Sequence, residues 1–306
     1  LISFAVPCSI FAQDFTRSIG WNSMGIPLGT DGSVLDTTTD KDGTLYIAGN
    51  FTYAGGVLVN KIAKWDGNNW SPLDSGMNGA VLSLAIDTNG ILYAGGTFTT
   101  AGGISANRIA KWDGVSWNTL GAGASSGSIN SIDFDSNNNV FVGGSFTLIG
   151  GVSANRVAKW NGSTWSALGS GFSATVNAIA IDDSNNIYSG GNFSGYISKW
   201  NGTTWTALGT GTNSSVNALS IDSNNNLFVG GTFSTAGGIP CNGIAKWDGT
   251  GWSSLGTGSS ASIKSMGLDI DNNLYAAQSA APFKILKWDG TIWTDIGTFH
   301  AGGSNS

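Results

Sequence analysis

The chain has 306 residues, a formal net charge of −6 and 10% charged residues, against about 25% in an ordinary soluble domain. It carries no basic run that could release phosphate counterions, which argues against nucleic acid or an anionic membrane surface as partner. Its 47 Gly mark many tight turns, while 41% apolar residues and 13 Trp supply ample core material and exclude a disordered chain.

Residues 1–12, from Leu1 to Ala12, are apolar and end on a small residue before Gln13 and Asp14. They read as the remnant of a secretory signal peptide, so export with removal of 1–12 is expected. A dozen residues is too short for a membrane-spanning helix, which needs about 20. Cleavage would remove Cys8 and leave Cys241 without a disulfide partner. Within 13–33, the stretch from Trp21 to Gly29 reads as one extra strand.

From Val34 onward the chain repeats itself six times. The units open at Val34, Val81, Ile129, Val176, Val216 and Ile263, in steps of 47, 48, 47, 40 and 47 residues. A period in the 40s with four strand-like runs per unit predicts an all-β propeller of six four-stranded blades over 34–298. The extra strand at Trp21 leaves open a seven-bladed ring with part of the chain missing. Residues 299–306 form a tail.

Within a unit the first run, strand A, is apolar and ends in Asp. In the fourth unit its alternation puts Val176, Ala178 and Ala180 on one side and Ile179 and Ile181 on the other. A turn of the type Asp-Ser-Asn-Asn-Asn follows at 135–139 and 222–226. Asp and Asn suit a tight turn because they tolerate left-handed backbone and bond their own main chain. Calcium is the sharper alternative, but no bidentate Glu follows. Strand B ends in Gly-Gly at 95–96, 143–144, 190–191 and 230–231, expected to let an aromatic from the next blade rest on bare backbone. The B-to-C segment, such as Ala101 to Asn107, reads as a loop, shortened in the fourth unit to Gly195-Tyr196.

Strand C carries Lys-Trp and strand D a second Trp, so 12 of the 13 Trp occupy two fixed blade positions. Such regularity points to packing between blades rather than to a sugar-stacking platform. The Lys stems are expected along the Trp, with the ammonium near an Asp or in water. Cys241 stands where other units have Ala106 and Ala154, as a small residue that has drifted.

An apolar strand, Gly-Gly, an aromatic-Asp pair and a second Trp resemble the kelch pattern, with Lys-Trp-Asp-Gly where kelch repeats often have Tyr-Asp. The chain is also similar to repeat arrays of secreted bacterial surface proteins and to the ectodomain of fungal cortical polarity-marker proteins. The resemblance covers residues 21 to about 298 and implies the fold, not a partner. Kelch-type propellers include a copper oxidase whose site needs Tyr, His and a Cys-linked Tyr; here the single His is His300, with no such constellation.

The chemistry-bearing residues belong to the repeat itself. Asp40, Asp87, Asp135, Asp182, Asp222 and Asp269 end strand A; Asp183 and Asp271 fall in turns of separate units. No catalytic, cofactor or metal ligand follows from the sequence, and no ligand-binding residue can be assigned. The expectation is a secreted or cell-surface, non-catalytic module for protein interaction or adhesion. A glycan-binding lectin is the alternative, with a propeller hydrolase or lyase behind it. A protein or glycan ligand should sit at the loop face, its specificity collected at Gly195-Tyr196, Ile239-Pro240-Cys241 and Ala276-Ala277-Gln278-Ser279.

Overall fold

The computed structural model describes residues 29–299. The signal-peptide reading of 1–12, the extra strand at Trp21, and His300 lie outside the described residues. The protein is an all-β, six-bladed propeller with four-stranded blades. It divides into two compact units, the first carrying blades 1–3 up to Gly171 and the second carrying blades 4–6 from Phe172. No helix among the described residues is long and apolar enough to cross a membrane.

Blade 2 shows the pattern. Strand A is Val81–Ile86, strand B Leu92–Gly96, strand C Ile109–Trp112 and strand D Trp117–Thr119, hydrogen-bonded as an antiparallel meander. Strand A of the other blades is Ser33–Thr39, Ile129–Phe134, Val176–Ile181, Val216–Ile221 and Ile263–Leu268. These starts match the sequence period to within one residue.

Strand A departs from simple alternation. In every blade its register against strand B slips near its start, as between Val81 and Ser83 or between Val34 and Asp36. The extra residue is a β-bulge. Beyond it Ala178, Ile179 and Ala180 alternate sides in regular register and are all buried, as a strand packed on both faces requires.

The bulge explains the glycine pair. A Cβ on Gly96 would run into the carbonyl of Ala80, and one on Gly144 into that of Ser128. The first glycine faces the next blade, where a Cβ on Gly95 would come within 2.6 Å of Ile129 and 3.0 Å of Ile132. On Gly230 it would meet Ile263 at 2.7 Å and Met266 at 2.8 Å. The residues seated on bare backbone are therefore branched aliphatics and Met, not aromatics. The aromatic core member is the Phe two residues after the pair: Phe51, Phe98, Phe146, Phe193 and Phe233, each at most 2% exposed.

Neighbouring strands A are tied within each unit, by different groups. In the first unit Asp36 accepts the Leu84 N–H at 2.7 Å, and Ser83 accepts that of Ile132 at 3.2 Å. In the second unit Asn177 donates to the Val216 carbonyl at 2.9 Å and Asn217 to that of Ile263 at 2.8 Å.

The Asp-Asn turns act as clips. Asp135 Oδ1 accepts the N–H groups of Asn137 and Asn139, and the Asn139 amide reaches Oδ2 at 2.7 Å. Asn138, left-handed at φ 58°, donates from Nδ2 to Thr88 Oγ1 of the previous blade at 2.7 Å. Asn272 clips Ser223 in the same way at 2.8 Å. These oxygens and amides are engaged in building the turn, as the turn reading requires. Asn138→Ala should cost about 1–2 kcal/mol, from the lost clip and the strained backbone, and Asn138→Gly less. Thermal melts of the two variants check this.

Candidate recognition face

The meander sends the A-to-B and C-to-D turns to one end of each blade and the B-to-C segment and D-to-A linker to the other. The B-to-C segment is no irregular loop. In blades 1, 2, 3 and 5 it is a two-stranded hairpin, such as Thr100–Ala101 paired with Ile104–Ser105 around Gly102-Gly103. Both glycines are left-handed, at φ 53° and 79°, the backbone a two-residue hairpin demands.

The linker holds each hairpin in place. Asn78 Oδ1 accepts the N–H groups of Thr99 and Thr100, and Asn213 does the same for Ser234 and Thr235. In blade 1 the anchor is Asp31, bonded by Thr52 and Tyr53; the Tyr53 N–H holds its carboxyl below the usual carboxylate range, against the opposing effect of burial.

Beneath each hairpin lies the strand D Trp. A Cβ on Gly102 would come within 2.7 Å of the Trp117 ring, and one on Gly237 within 2.5 Å of Trp252. The indole N–H of Trp117 donates to the Leu73 carbonyl of the preceding blade at 3.0 Å; Trp165 and Trp252 reach Leu120 and Leu208 at 2.8 Å. The strand C Trp packs against its partner, with Trp112 and Trp117 centroids 5.4 Å apart. Inter-blade packing thus occupies the Trp pairs. In blade 4, which lacks the hairpin, Phe172 fills in by stacking on Phe193 at 3.9 Å and tilting against Trp205 at 4.7 Å.

Three of the strand C lysines place their ammonium over a strand B aromatic. Lys159 Nζ sits 5.1 Å from the Phe141 ring centre and 3.4 Å from Asp135, while Lys199 and Lys287 sit over Tyr188 and Tyr275. Burial, then the neighbouring Asp87 charge, pushes the Tyr93 hydroxyl up to about 12. Asp-Tyr-Lys groupings of this kind, with the Lys partly exposed, join strands A, B and C as structural contacts.

The stretches expected to carry specificity are only partly surface. Ile239-Pro240 forms an exposed hairpin strand, but Cys241 is 2% exposed, and burial pushes its thiol up. Ala276, Ala277 and Gln278 belong to strand B, Leu274–Gln278, and are buried; Gln278 bonds Ser259 at 2.7 Å. Gly195-Tyr196 is a tight turn whose Tyr196 packs on the core of blades 4 and 5. Asp183 and Asp271 remain apart, in the turns of blades 4 and 6.

What the hairpins do expose is apolar. Tyr53 is 46% exposed, Leu58 52%, and Ile104, Leu148 and Ile239 each 38%. Just before strand C stands a second feature: Lys61, Arg108 and Arg156 have φ of 75°, 65° and 69°. Long side chains rarely adopt this left-handed backbone, which costs each of them roughly 1–2 kcal/mol. Blade 5 fills the same position with Gly243, at φ 78°. The Arg108 guanidinium reaches the linker, bonding the Gly127 carbonyl at 3.1 Å and that of Ala124 at 3.3 Å. Arg156 bonds the Phe146 carbonyl at 3.1 Å. The sequence does contain this signal, in Asn60-Lys61, Asn107-Arg108 and Asn155-Arg156, but a repeat motif read only as far as its Asn passes over it.

Residues 71–215 match the family model of the Rax2 C-terminal beta propeller domain, and residues 41–67 match a beta-propeller domain of unknown function, DUF5122. No curated protein matches the chain in sequence. Among solved structures, a chain of the mitotic checkpoint complex is 13% identical, with a TM-score of 0.62 over 97% of this chain and 89% of that one. YCF48 bound to D1 peptide is 15% identical, at 0.57 over 91% and 86%. A streptogramin B lyase is 13% identical, at 0.61 over 93% and 88%. At these identities the likeness shows the propeller fold alone.

Proposed function

We propose that this protein is a non-catalytic recognition module that works outside the cell or at its surface, binding a protein partner through the hairpin ends of its blades. One observation carries the reading: apolar side chains such as Tyr53, Leu58 and Ile104 stand exposed on hairpins that linker Asx residues and buried Trp hold rigid. Pre-ordered loops on a stiff scaffold lose little freedom on binding. The carboxylates, by contrast, are largely consumed in turns, clips and blade-to-blade bonds. The match to the Rax2 propeller model supports an extracellular placement. YCF48, a neighbour in fold, has a peptide bound in its structure, which supports a protein or peptide as ligand class. A glycan would have to bind without the Trp pairs as its stacking platform. A lyase function draws support from fold likeness alone, with no residues to carry across.

Cross-linking mass spectrometry of the purified protein with envelope extract tests the reading. Cross-links should map to the hairpin ends, and Tyr53→Asp, Ile104→Asp and Leu148→Asp together should remove them. Cross-links confined to the A-to-B and C-to-D turns would overturn it.

A further inference from the structure

In the first unit, each of the three blades combines an exposed apolar hairpin residue with a long cation held in left-handed backbone: Tyr53 with Lys61, Ile104 with Arg108, and Leu148 with Arg156. None of blades 4–6 has both. Blade 4 has no hairpin and Tyr196 in the cation position, blade 5 has Gly243 there, and blade 6 forms no hairpin before its strand C, Phe283–Trp288.

The two guanidinium groups are anchored to one junction. Arg108 bonds the linker carbonyls of Ala124 and Gly127, and a Cβ on Gly127 would lie 2.8 Å from the Phe146 nitrogen. Arg156 bonds the carbonyl of that same Phe146. Among the described residues neither Arg forms a salt bridge with a carboxylate. Each has guanidinium N–H groups beyond those used by these carbonyls. The carboxylates at this end are Asp31, which two backbone N–H groups occupy and which attracts Lys61, and Asp74, bonded by the Ser75 N–H.

The charge balance differs along the blade. In blades 1–3 the turns at the opposite end carry Asp40, Asp42, Asp66, Asp87, Asp113 and Asp135, partly offset by Lys41 and the strand C lysines Lys64, Lys111 and Lys159, while the hairpin end sets Lys61, Arg108 and Arg156 against Asp31 and Asp74. A negatively charged partner is thus favoured at the hairpin end over the turn end. Backbone strain retained at three successive blades, where blade 5 shows that Gly fits, is the signature of a position held for its side chain.

We propose that the hairpin end of blades 1–3 binds an acidic polypeptide segment, whose carboxylates meet Lys61, Arg108 and Arg156 while its apolar residues lie on Tyr53, Ile104 and Leu148. The inference rests on the recognition reading above and names its partner chemistry. Bidentate pairing with carboxylates suits Arg in particular.

The test uses a fluorescein-labelled twelve-residue peptide alternating Asp or Glu with Leu or Phe, read by fluorescence anisotropy against the purified protein. A matched peptide with Lys in place of the acids and a heparin fragment serve as controls. The acidic peptide should bind, weaken steeply with salt, and lose on the order of 100-fold in affinity in a triple variant, Lys61→Gly with Arg108→Gly and Arg156→Gly. That variant should melt near the native temperature, since glycine's relief of the left-handed backbone offsets the lost bonds to Ala124, Gly127 and Phe146. Should it unfold, Lys61→Gln with Arg108→Gln and Arg156→Gln keeps side-chain N–H donors and reads the charge alone. Equal binding of the acidic and Lys peptides, preference for heparin, or full affinity in the charge-free variants would each overturn the proposal. If cross-links still map to the hairpin ends when the acidic peptide fails, the partner chemistry is wrong and the recognition reading stands. Cross-links that move to the turn end would refute both.

Discussion

Trp117→Ala should destabilise the protein by about 3–5 kcal/mol, the usual cost of truncating a large buried aromatic. Three losses coincide at this side chain. Its ring is 4% exposed and seals the space under the Gly102 hairpin. It packs on Trp112, which belongs to the same cluster as Leu73 and Met77 of the preceding segment. Its indole N–H also bonds the Leu73 carbonyl, which the substitution leaves with only the longer bond from the Gly76 N–H at 3.2 Å. Trp117→Phe should cost less, because it keeps most of the ring contact and loses only the bond. Chemical denaturation of the two variants, with the slope compared to native, separates these contributions. If the Trp were instead a ligand platform, the melt of the Ala variant would match that of the native protein and only binding would suffer.

The second large effect is a pH dependence centred on Asp36. Burial pushes this carboxyl up to about 7, against the lowering influence of the Leu84 and Thr37 N–H groups and of Ser83. In the unfolded chain the group ionises near 3.8. Between these values the folded protein holds a proton that the unfolded chain releases, so this residue's contribution is fully favourable below about pH 4. It then declines as the pH rises and levels off above about 7, a swing on the order of 4 kcal/mol. Blades 2, 3 and 6 place Ser83, Ser131 and Ser265 at the matching bulge position, which makes Asp36→Ser the natural control. The difference in stability between variant and native should move in the variant's favour from pH 4.5 to 8. A difference that stays constant with pH would show that Asp36 is not the group responsible. Because the comparison is made at each pH, the opposite trend of the turn aspartates cancels.

Much of the fold was legible because each blade repeats the same punctuation. An apolar run ending in Asp, Gly-Gly, Lys-Trp and the second Trp gave strand positions to within a residue. The bulge in strand A was not legible, since it exists only as a register against Gly95 and Gly96, which no single strand reveals. The hairpins passed for loops because strands of two residues have no period to read. Cys241 was read as a drifted small residue in a loop and grouped with the specificity stretches, although it is buried; Ala276, Ala277 and Gln278 likewise looked like surface variation although they continue strand B in a blade without the glycine pair. The cations at 61, 108 and 156 were missed for a physical reason: residue type does not announce left-handed backbone when the residue is Lys or Arg. Only the comparison with Gly243 in the same register exposes it.

The C-to-D turns have a consequence of another kind. In all six blades one side-chain oxygen, of Asp66, Asp113, Asp248 or Asp289 in four blades and of Asn161 or Asn201 in the other two, accepts the backbone N–H groups two and three residues on. The backbone of the turn uses that oxygen alone, while among the described residues the second atom adds side-chain bonds only in blade 2, where Asp113 Oδ2 accepts from Ser116 and Asn118, and in blade 4, where Asn201 Nδ2 donates to Thr204. Each position is thus a place where one unit of charge can be gained or lost by a one-atom exchange while the loop keeps its shape. Colloidal behaviour can then drift through evolution, or through spontaneous deamidation at Asn161-Gly162 and Asn201-Gly202, independently of folding. With a net charge of only −6 on 306 residues, these six tips could move the whole molecule a considerable way toward or away from neutrality.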